Sequence, residues 1–326
     1  MNFKCVKWGW LASLLAVAQL ASAQTYPAKP INLVVPYPAG GPSDFVARQL
    51  QADMGKSLGQ PIVVDNVSGV AGALGVQKML NAPADGYTAT LGSPLELIIT
   101  PLTVATVKYS PSDVRMVGQV VRAPLVLLAR KDLPAQTIEE LLALTKKPGA
   151  KPLSVANTGM GSMFHLVAEK FGQQTGLPLL HVPYKGGAPA IADLMGGQVD
   201  MAFGIFAGNV PSLVAEGKLK ALGLTTRERL QAHPQLFPLA SLPQLQGFEF
   251  NSWAAVLVPK ATPEAVSQRL NKAIYEAMQN PEIRKAFEAS GNTVVAPLSL
   301  QDLDKVLKAE VDRYQAIAKS INLQPQ

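Results

Sequence analysis

The stretch "VPYPAGGPSD", residues 35–44, follows the apolar run Ile31-Asn32-Leu33-Val34-Val35 and precedes a segment of helical character. That segment, Ser43–Leu58, carries Val46, Leu50, Met54 and Leu58 at a spacing of four. Such spacing places all four on one face of an amphipathic helix. Gly59 and Pro61 supply its stop signal. Strand, double glycine and helix thus follow each other directly. Gly40 and Gly41 allow positive φ and close backbone approach, and Pro42 suits a first helical position. The N–H groups of Ser43, Asp44 and Phe45 are expected to point out of the helix start. Together with the helix dipole they would form an anion site. A nucleotide-phosphate loop would need Gly-Lys-Ser/Thr here, and the stretch has no lysine. Two readings of the loop stay open, a tight turn serving only the backbone and an anion site. For Asp44, third in the helix, capping competes with ligand contact.

The same alternation runs along the chain. Strands are predicted at Ile31–Val35, Ile62–Asp65, Thr88–Leu91, Val117–Val121, Leu125–Ala129, Leu153–Ala156, Leu179–Pro183, Val199–Phe203, Lys220–Thr225 and Trp253–Val258. Helices are predicted between most of them and over Pro263–Gln279, Pro281–Ser290 and Leu300–Ser320. The pattern predicts an α/β protein with parallel sheets and right-handed crossovers. "VPYKGGAPAIADL", 182–194, echoes the opening stretch, one copy in each half of the chain, as in two similar α/β lobes.

The chain has 326 residues, 48% hydrophobic and 16% charged, enough for two domains. Lys4 and Lys7, the apolar run Trp8–Leu20 and Ala21-Ser22-Ala23 form a signal-peptide pattern, with cleavage expected before Gln24. Removal of residues 1–23 takes away the one cysteine and lowers the formal charge from +6 to +4. The mature chain is therefore expected to be soluble, exported and free of disulfides. Its Lys and Arg residues are scattered, which argues against nucleic-acid binding. Absence of cysteine, and of a His pair at i,i+3 or i,i+4, argues against a metal site.

A second glycine loop, "ANTGMGSMFHL" at 156–166, also joins a predicted strand to a helix. Ser162 and His165 suggest a nucleophile and base, but the G-x-S-x-G elbow is incomplete. Loops beginning at Pro36, Ser93, Thr158, Tyr184 and Gly204 all follow strand carboxyl ends, where open α/β sheets bind ligands. Phe203, Ile205 and Phe206 read either as core or as a cleft wall.

"YPAKPINLVVPYPAGGPSDFVAR" (26–48), "DGYTATLGS" (85–93), "HVPYKGGAPAIADLMGGQVDMAF" (181–203) and "GKLKALGLTTRERL" (217–230) resemble the periplasmic solute receptors of tripartite tricarboxylate transporters, the Bug receptors. The resemblance covers essentially the whole mature chain in the family's order. It implies a type II periplasmic binding protein, two α/β lobes with a ligand cleft between them. Lobe I would comprise 24–122 plus 252–326, and lobe II 123–251. It implies capture of a small-molecule carboxylate by lobe closure and delivery to membrane permease subunits, with no cofactor, no catalysis and a monomeric state. Ligand contacts carried over are Tyr37, Ala39, Gly40, Gly41, Ser43, Asp44 and Ser93 from lobe I. Lobe II would add Thr158, Gly159, Gly161, Ser162, Tyr184, Lys185 and Gly204. Where many members have Asn-Gly-Thr-Ser-Pro-His, this chain has Met163 and Phe164 in place of Ser and Pro. Gly204 stands where many carry an acid. With Met160, Met163, Phe203 or Phe206 at the wall, these departures point to a less polar carboxylate, aromatic among them, rather than an amino acid. The alternatives are a periplasmic serine hydrolase using Ser162 and His165, and a ligand-sensing receptor feeding a signalling partner.

Overall fold

The computed structural model describes residues 26–145, 151–230 and 233–325. The expected signal peptide, 1–23, lies outside them. Strand β1 (Ile31–Val35) leads through the opening loop into helix α1 (Pro42–Leu58). Val46, Leu50, Met54 and Leu58 are buried along one side of α1, and Gly59, at φ 72°, ends it. The chain continues through β2 (Ile62–Asn66), α2 (Ala73–Leu80), β3 (Thr88–Gly92), β4 (Val114–Arg130) and α3 (Ile138–Thr145). Next come β5 (Leu153–Asn157), α4 (Met163–Thr175), β6 (Leu179–Pro183), α5 (Gly187–Met195), β7 (Met201–Ile205), α6 (Val210–Ala215) and β8 (Leu219–Leu224). The remaining elements are β9 (Asn251–Pro259), α7 (Glu264–Ala277), α8 (Pro281–Ala289), β10 (Thr293–Val294) and α9 (Leu300–Ser320).

The strands run in the order β2-β1-β3-β9-β4-β7-β5-β6, with β8 and β10 also on β4. The expectation of parallel sheets holds for β1 with β2 and β3, and for β5 with β6 and β7. It fails for β4 and β9, whose pairings are all antiparallel. The strands expected at 117–121 and 125–129 are one strand, β4. Proline inside a strand is tolerated where its missing N–H falls outside the ladder. Pro124 meets that condition, because β9 pairing ends at Pro124↔Asn251 and β7 and β8 pair with the residues that follow.

Both faces of β4 are covered. Leu125, Leu127 and Ala129 join the larger core, whereas Val126 and Leu128 join a smaller one with Ala190, Leu194 and Phe206. Each fully buried Val or Leu among them contributes roughly 1.5–3 kcal/mol. Two strands that carry glycine loops, β1 and β5, are thereby held at set positions on either side of β4 and β9.

Candidate functional site

In the loop after β1, Gly40 has φ 81° and Gly41 is the residue before the first helical position, Pro42. Asp44, only 3% exposed, accepts from the Gly40 N–H (2.9 Å), Arg48 Nε (2.8 Å) and Asn66 Nδ2 (3.1 Å). The Arg48 hydrogen bond leads the effects that hold its carboxyl down at about pKa 2. The side chain thus braces its own loop. The Phe45 N–H donates to the Gly41 carbonyl at 2.9 Å, so the expected trio of outward N–H groups reduces to Ser43 and Asp44. Those two have no acceptor among the described residues. Ala39 and Gly40 are exposed.

Tyr37 and Ser93 converge on a residue the motifs did not flag. Glu96 is fully buried in a π-helical turn, Leu95–Ile99, after β3. It accepts from Tyr37 Oη and Ser93 Oγ, both at 2.6 Å, and from the Ser93 N–H. Burial pushes its pKa up, against the pull of these donors. Both hydroxyl protons are therefore committed inward. Gly72 admits the cluster: with φ 89°, a Cβ there would lie 2.7 Å from Glu96 Cβ. The available signal was an acid inside the apolar run Leu95-Glu96-Leu97-Ile98-Ile99.

The loop after β5 has the same construction as the loop after β1. Gly161, at φ 78°, donates its N–H to His165 Nδ1 at 3.0 Å, four residues ahead, as Gly40 does to Asp44. In both helices the accepting side chain is third from the cap, Gly41 or Ser162. The geometric counterpart of 40–44 is thus 161–165. The stretch at 182–194 shares letters but not this brace, and its cap Gly186 has extended backbone at φ 168°. Ser162 Oγ caps α4 by accepting the His165 N–H (3.3 Å). The imidazole faces away from that hydroxyl, with Nδ1 on Gly161 and Nε2 3.6 Å from Glu169 Oε1. The N–H groups of Met163 and Phe164 have no partner among the described residues.

Beside this loop lies a cavity of about 430 Å³, within the range of small-molecule sites. All its lining residues come from 156–210, among them Thr158, Phe164, Ile191, Met195, Phe203 and Ile205. Its one fully buried amide is Asn157, 1% exposed, which the motifs also missed. Asn157 Oδ1 accepts the Gly159 N–H at 2.9 Å, which fixes the amide's orientation, and Nδ2 has no partner among the described residues. Gly204 lines the cavity from inside β7, paired with Val126, rather than from a loop, because β7 runs on to Ile205. Of the four proposed wall residues, Phe203 lines the cavity. Met163 and Phe206 are buried in the core, and Met160 is 61% exposed. Tyr184 donates to Asp193 of α5 at 2.7 Å, and Lys185 is exposed. No hydrogen bond joins the 36–44 loop to the 158–162 loop among the described residues. Gly161 does reach the first half, packing on Thr103.

Among the described residues, one group of titratable side chains gathers at metal-ligand separations, His165, Glu169 and His181, with ligand atoms within 4.8 Å. Sequence spacing missed it because His181 comes from β6. The Gly161 N–H on Nδ1 places the neutral ring's proton on Nε2, so no lone pair faces Glu169. The three side chains pack together, with His181 Nε2 3.0 Å from Glu169 Oε1, rather than presenting a donor set for a cation.

The sequence pattern described as the tripartite tricarboxylate transporter family receptor, TctC, matches residues 46–323. The chain belongs to this family. The periplasmic binding protein BugD is 32% identical, with a TM-score of 0.73 over 92% of this chain and all of that one. Rpa4515 of Rhodopseudomonas palustris, solved with adipate, is 30% identical with a TM-score of 0.76, covering 92% of this chain and 100% of its own. MatC of the same organism, solved with bound malate, is 28% identical with a TM-score of 0.73, covering 90% and 99%. The fold is that of the TctC and Bug periplasmic binding proteins, and family and fold are those of solute-binding receptors. No helix among the described residues is long and apolar enough to cross a membrane.

Proposed function

We propose that this TctC receptor captures an organic carboxylate with an apolar body in the periplasm and hands it to the permease subunits of a tripartite tricarboxylate transporter. The observation that carries the ligand class is the unpartnered amide of Asn157 in the lining of a mainly apolar cavity. A buried donor without a partner costs roughly 1–3 kcal/mol, which a ligand oxygen would recover. The free N–H groups of Met163 and Phe164, and those of Ser43 and Asp44 at the start of α1, suit carboxylate oxygens. Phe164, Ile191, Met195 and Phe203 suit methylenes or a ring. No acid at Gly204 awaits a ligand amine.

Closure of two lobes is the mechanism, with no covalent step. Lobe I is 24–122 plus 252–326, and lobe II is 123–251. The partner exchange on β4 at Pro124 and the start of β9 at Asn251 support these limits. Tyr37, Ser93 and Asp44 act by holding the first loop, since their polar atoms are already engaged. The protein reaches the periplasm through the 1–23 signal peptide and acts as a monomer.

Titration calorimetry against adipate, benzoate, malate and aspartate tests this reading. Adipate or benzoate binding more tightly than malate and aspartate is the expected order. Tight binding of aspartate or malate, with none of the apolar acids, would reject it.

A further inference from the structure

We propose that His165 is the positioning residue of the second loop, bracing Gly161 as Asp44 braces Gly40, and that acidification releases this brace alone. The proposal rests on the carboxylate reading above for its ligand arm.

The two loops share backbone and brace but differ in the chemistry of the acceptor. Asp44 is a carboxylate held by three donors and stays ionised throughout the physiological range. His165 accepts through a ring nitrogen, and only while that nitrogen carries no proton. The neutral ring has its proton on Nε2, which is buried without a hydrogen-bond partner among the described residues, 3.6 Å from Glu169 Oε1; that oxygen lies 3.0 Å from His181 Nε2. The Gly161 N–H on Nδ1 is itself what sets this tautomer. A second proton can only go to Nδ1. It would set N–H against N–H across the present 3.0 Å, and Gly161 would lose its acceptor. On its other side Gly161 faces Thr103 closely: a Cβ there would lie 2.6 Å from Thr103 Cγ2, so the backbone has little room to move that way. The N–H groups of Met163 and Phe164 follow within three residues, and their aim depends on where Gly161 lies.

The titratable groups facing His165 are Glu169 on its own helix and His181 on β6, whose ring packs edge-on at 4.8 Å. Burial, then His181, lowers the His165 pKa, and Glu169 opposes them. The ring is thus neutral at pH 7.5, and protonation sets in below the ordinary His range. A simple cation near a bound anion would raise affinity in acid; loss of the brace lowers it. The sign of the pH effect separates the two.

The test is adipate titration of the purified protein and its variants at pH 7.5 and 5.0, with the Gly161 amide followed by ¹⁵N NMR hydrogen exchange. His165→Asn keeps an acceptor oxygen near the Nδ1 position and has no titration. At pH 7.5 His165→Ala is expected to bind about tenfold more weakly, the loss of one hydrogen bond of about 1.4 kcal/mol. His165→Asn is expected within about threefold of wild type, on the same scale. Adipate's own protonation is common to all proteins and cancels in the ratio of wild type to His165→Asn. That ratio should fall between pH 7.5 and 5.0 in step with the protonated fraction of the ring, toward a limit of about tenfold, one hydrogen bond's worth. A ratio that is unchanged or rises in acid overturns the proposal, as does wild-type affinity in His165→Ala. If wild type binds no adipate at all, the ligand reading fails and the amide decides the brace. Gly161 should be protected in wild type and His165→Asn at pH 7.5, unprotected in His165→Ala, and less protected in wild type than in His165→Asn at pH 5.0. Equal protection in all of them refutes the brace. Should His165→Ala fail to fold, the His165→Asn and pH arms decide it.

Discussion

Asn157→Ala is the substitution whose consequences follow most directly from the geometry. The side chain performs two tasks: Oδ1 accepts the Gly159 N–H at 2.9 Å, and Nδ2 stands buried in the cavity lining with no partner among the described residues. Truncation loses one ordinary hydrogen bond, about 1 kcal/mol, but removes an unsatisfied donor that costs a comparable amount. The two offset, and a chain of this size should shift in Tm by no more than about 3 °C. Binding has no such compensation. A charge-assisted hydrogen bond from Nδ2 to a ligand carboxylate contributes roughly 1.5–3 kcal/mol, so Kd should rise about 10- to 150-fold. Asn157→Asp is the sharper variant. It keeps the acceptor for Gly159 but sets a buried carboxylate against the ligand's own, and should bind more weakly than the alanine variant. Calorimetry with a bound dicarboxylate, beside thermal melts of the free proteins, measures both quantities. An Asn157→Ala protein that binds within twofold of wild type would show that Nδ2 does not meet the ligand. Tighter binding by Asn157→Asp would show that the ligand presents a donor there.

Other perturbations separate backbone, charge and chemistry. Gly40→Ala and Gly161→Ala both force a side chain into positive φ, at roughly 1–2 kcal/mol each. The Gly161 variant also drives its Cβ to 2.6 Å from Thr103 Cγ2, whereas Gly40 has open space, so urea denaturation should find Gly161→Ala clearly the less stable. Equal losses would mean Thr103 yields freely. Glu96→Gln addresses the buried carboxyl. A folded-state pKa raised above its ordinary 4.5 means that wild-type stability falls as pH rises from that value toward the folded pKa. The stability gap between wild type and Glu96→Gln, measured by melts from pH 5 to 8, should narrow as pH rises; a widening gap contradicts the assigned direction. Ser162→Ala removes a helix cap, at about 1 kcal/mol in denaturation. It should leave the rate on p-nitrophenyl acetate unchanged from wild type, and a fall in that rate would revive the hydrolase reading.

Most element positions were legible because apolar runs, glycines and prolines punctuate this chain cleanly. α1 could be read from Val46, Leu50, Met54 and Leu58, and its ends from Pro42 and Gly59. What stayed hidden depended on partners distant in sequence. Pro124 reads locally as a break, and only the exchange from β9 to β7 and β8 shows why β4 runs through it. The antiparallel direction of β9 is set by which strand it reaches after Phe250, not by its own residues. At the site, both glycine loops were visible as letters. Their shared brace was not, since Asp and His look unrelated until each is seen accepting a glycine N–H four residues back. Tyr37 and Ser93 were picked out as ligand contacts. The side chain that engages them, Glu96, lies 59 residues from Tyr37 and is hidden in an apolar run. Gly204 could not be placed from sequence because the end of β7 is fixed by pairing of Ile205 with Leu125.

The central claim is that an apolar-bodied carboxylate is held between two closing lobes. Small-angle scattering of the purified protein with and without adipate, at a concentration where calorimetry shows saturation, tests it most directly. The account predicts saturable binding accompanied by a decrease in radius of gyration, with malate weaker and aspartate silent. Saturable adipate binding with no change in the scattering curve would contradict closure, and tight aspartate binding with adipate silent would contradict the ligand class.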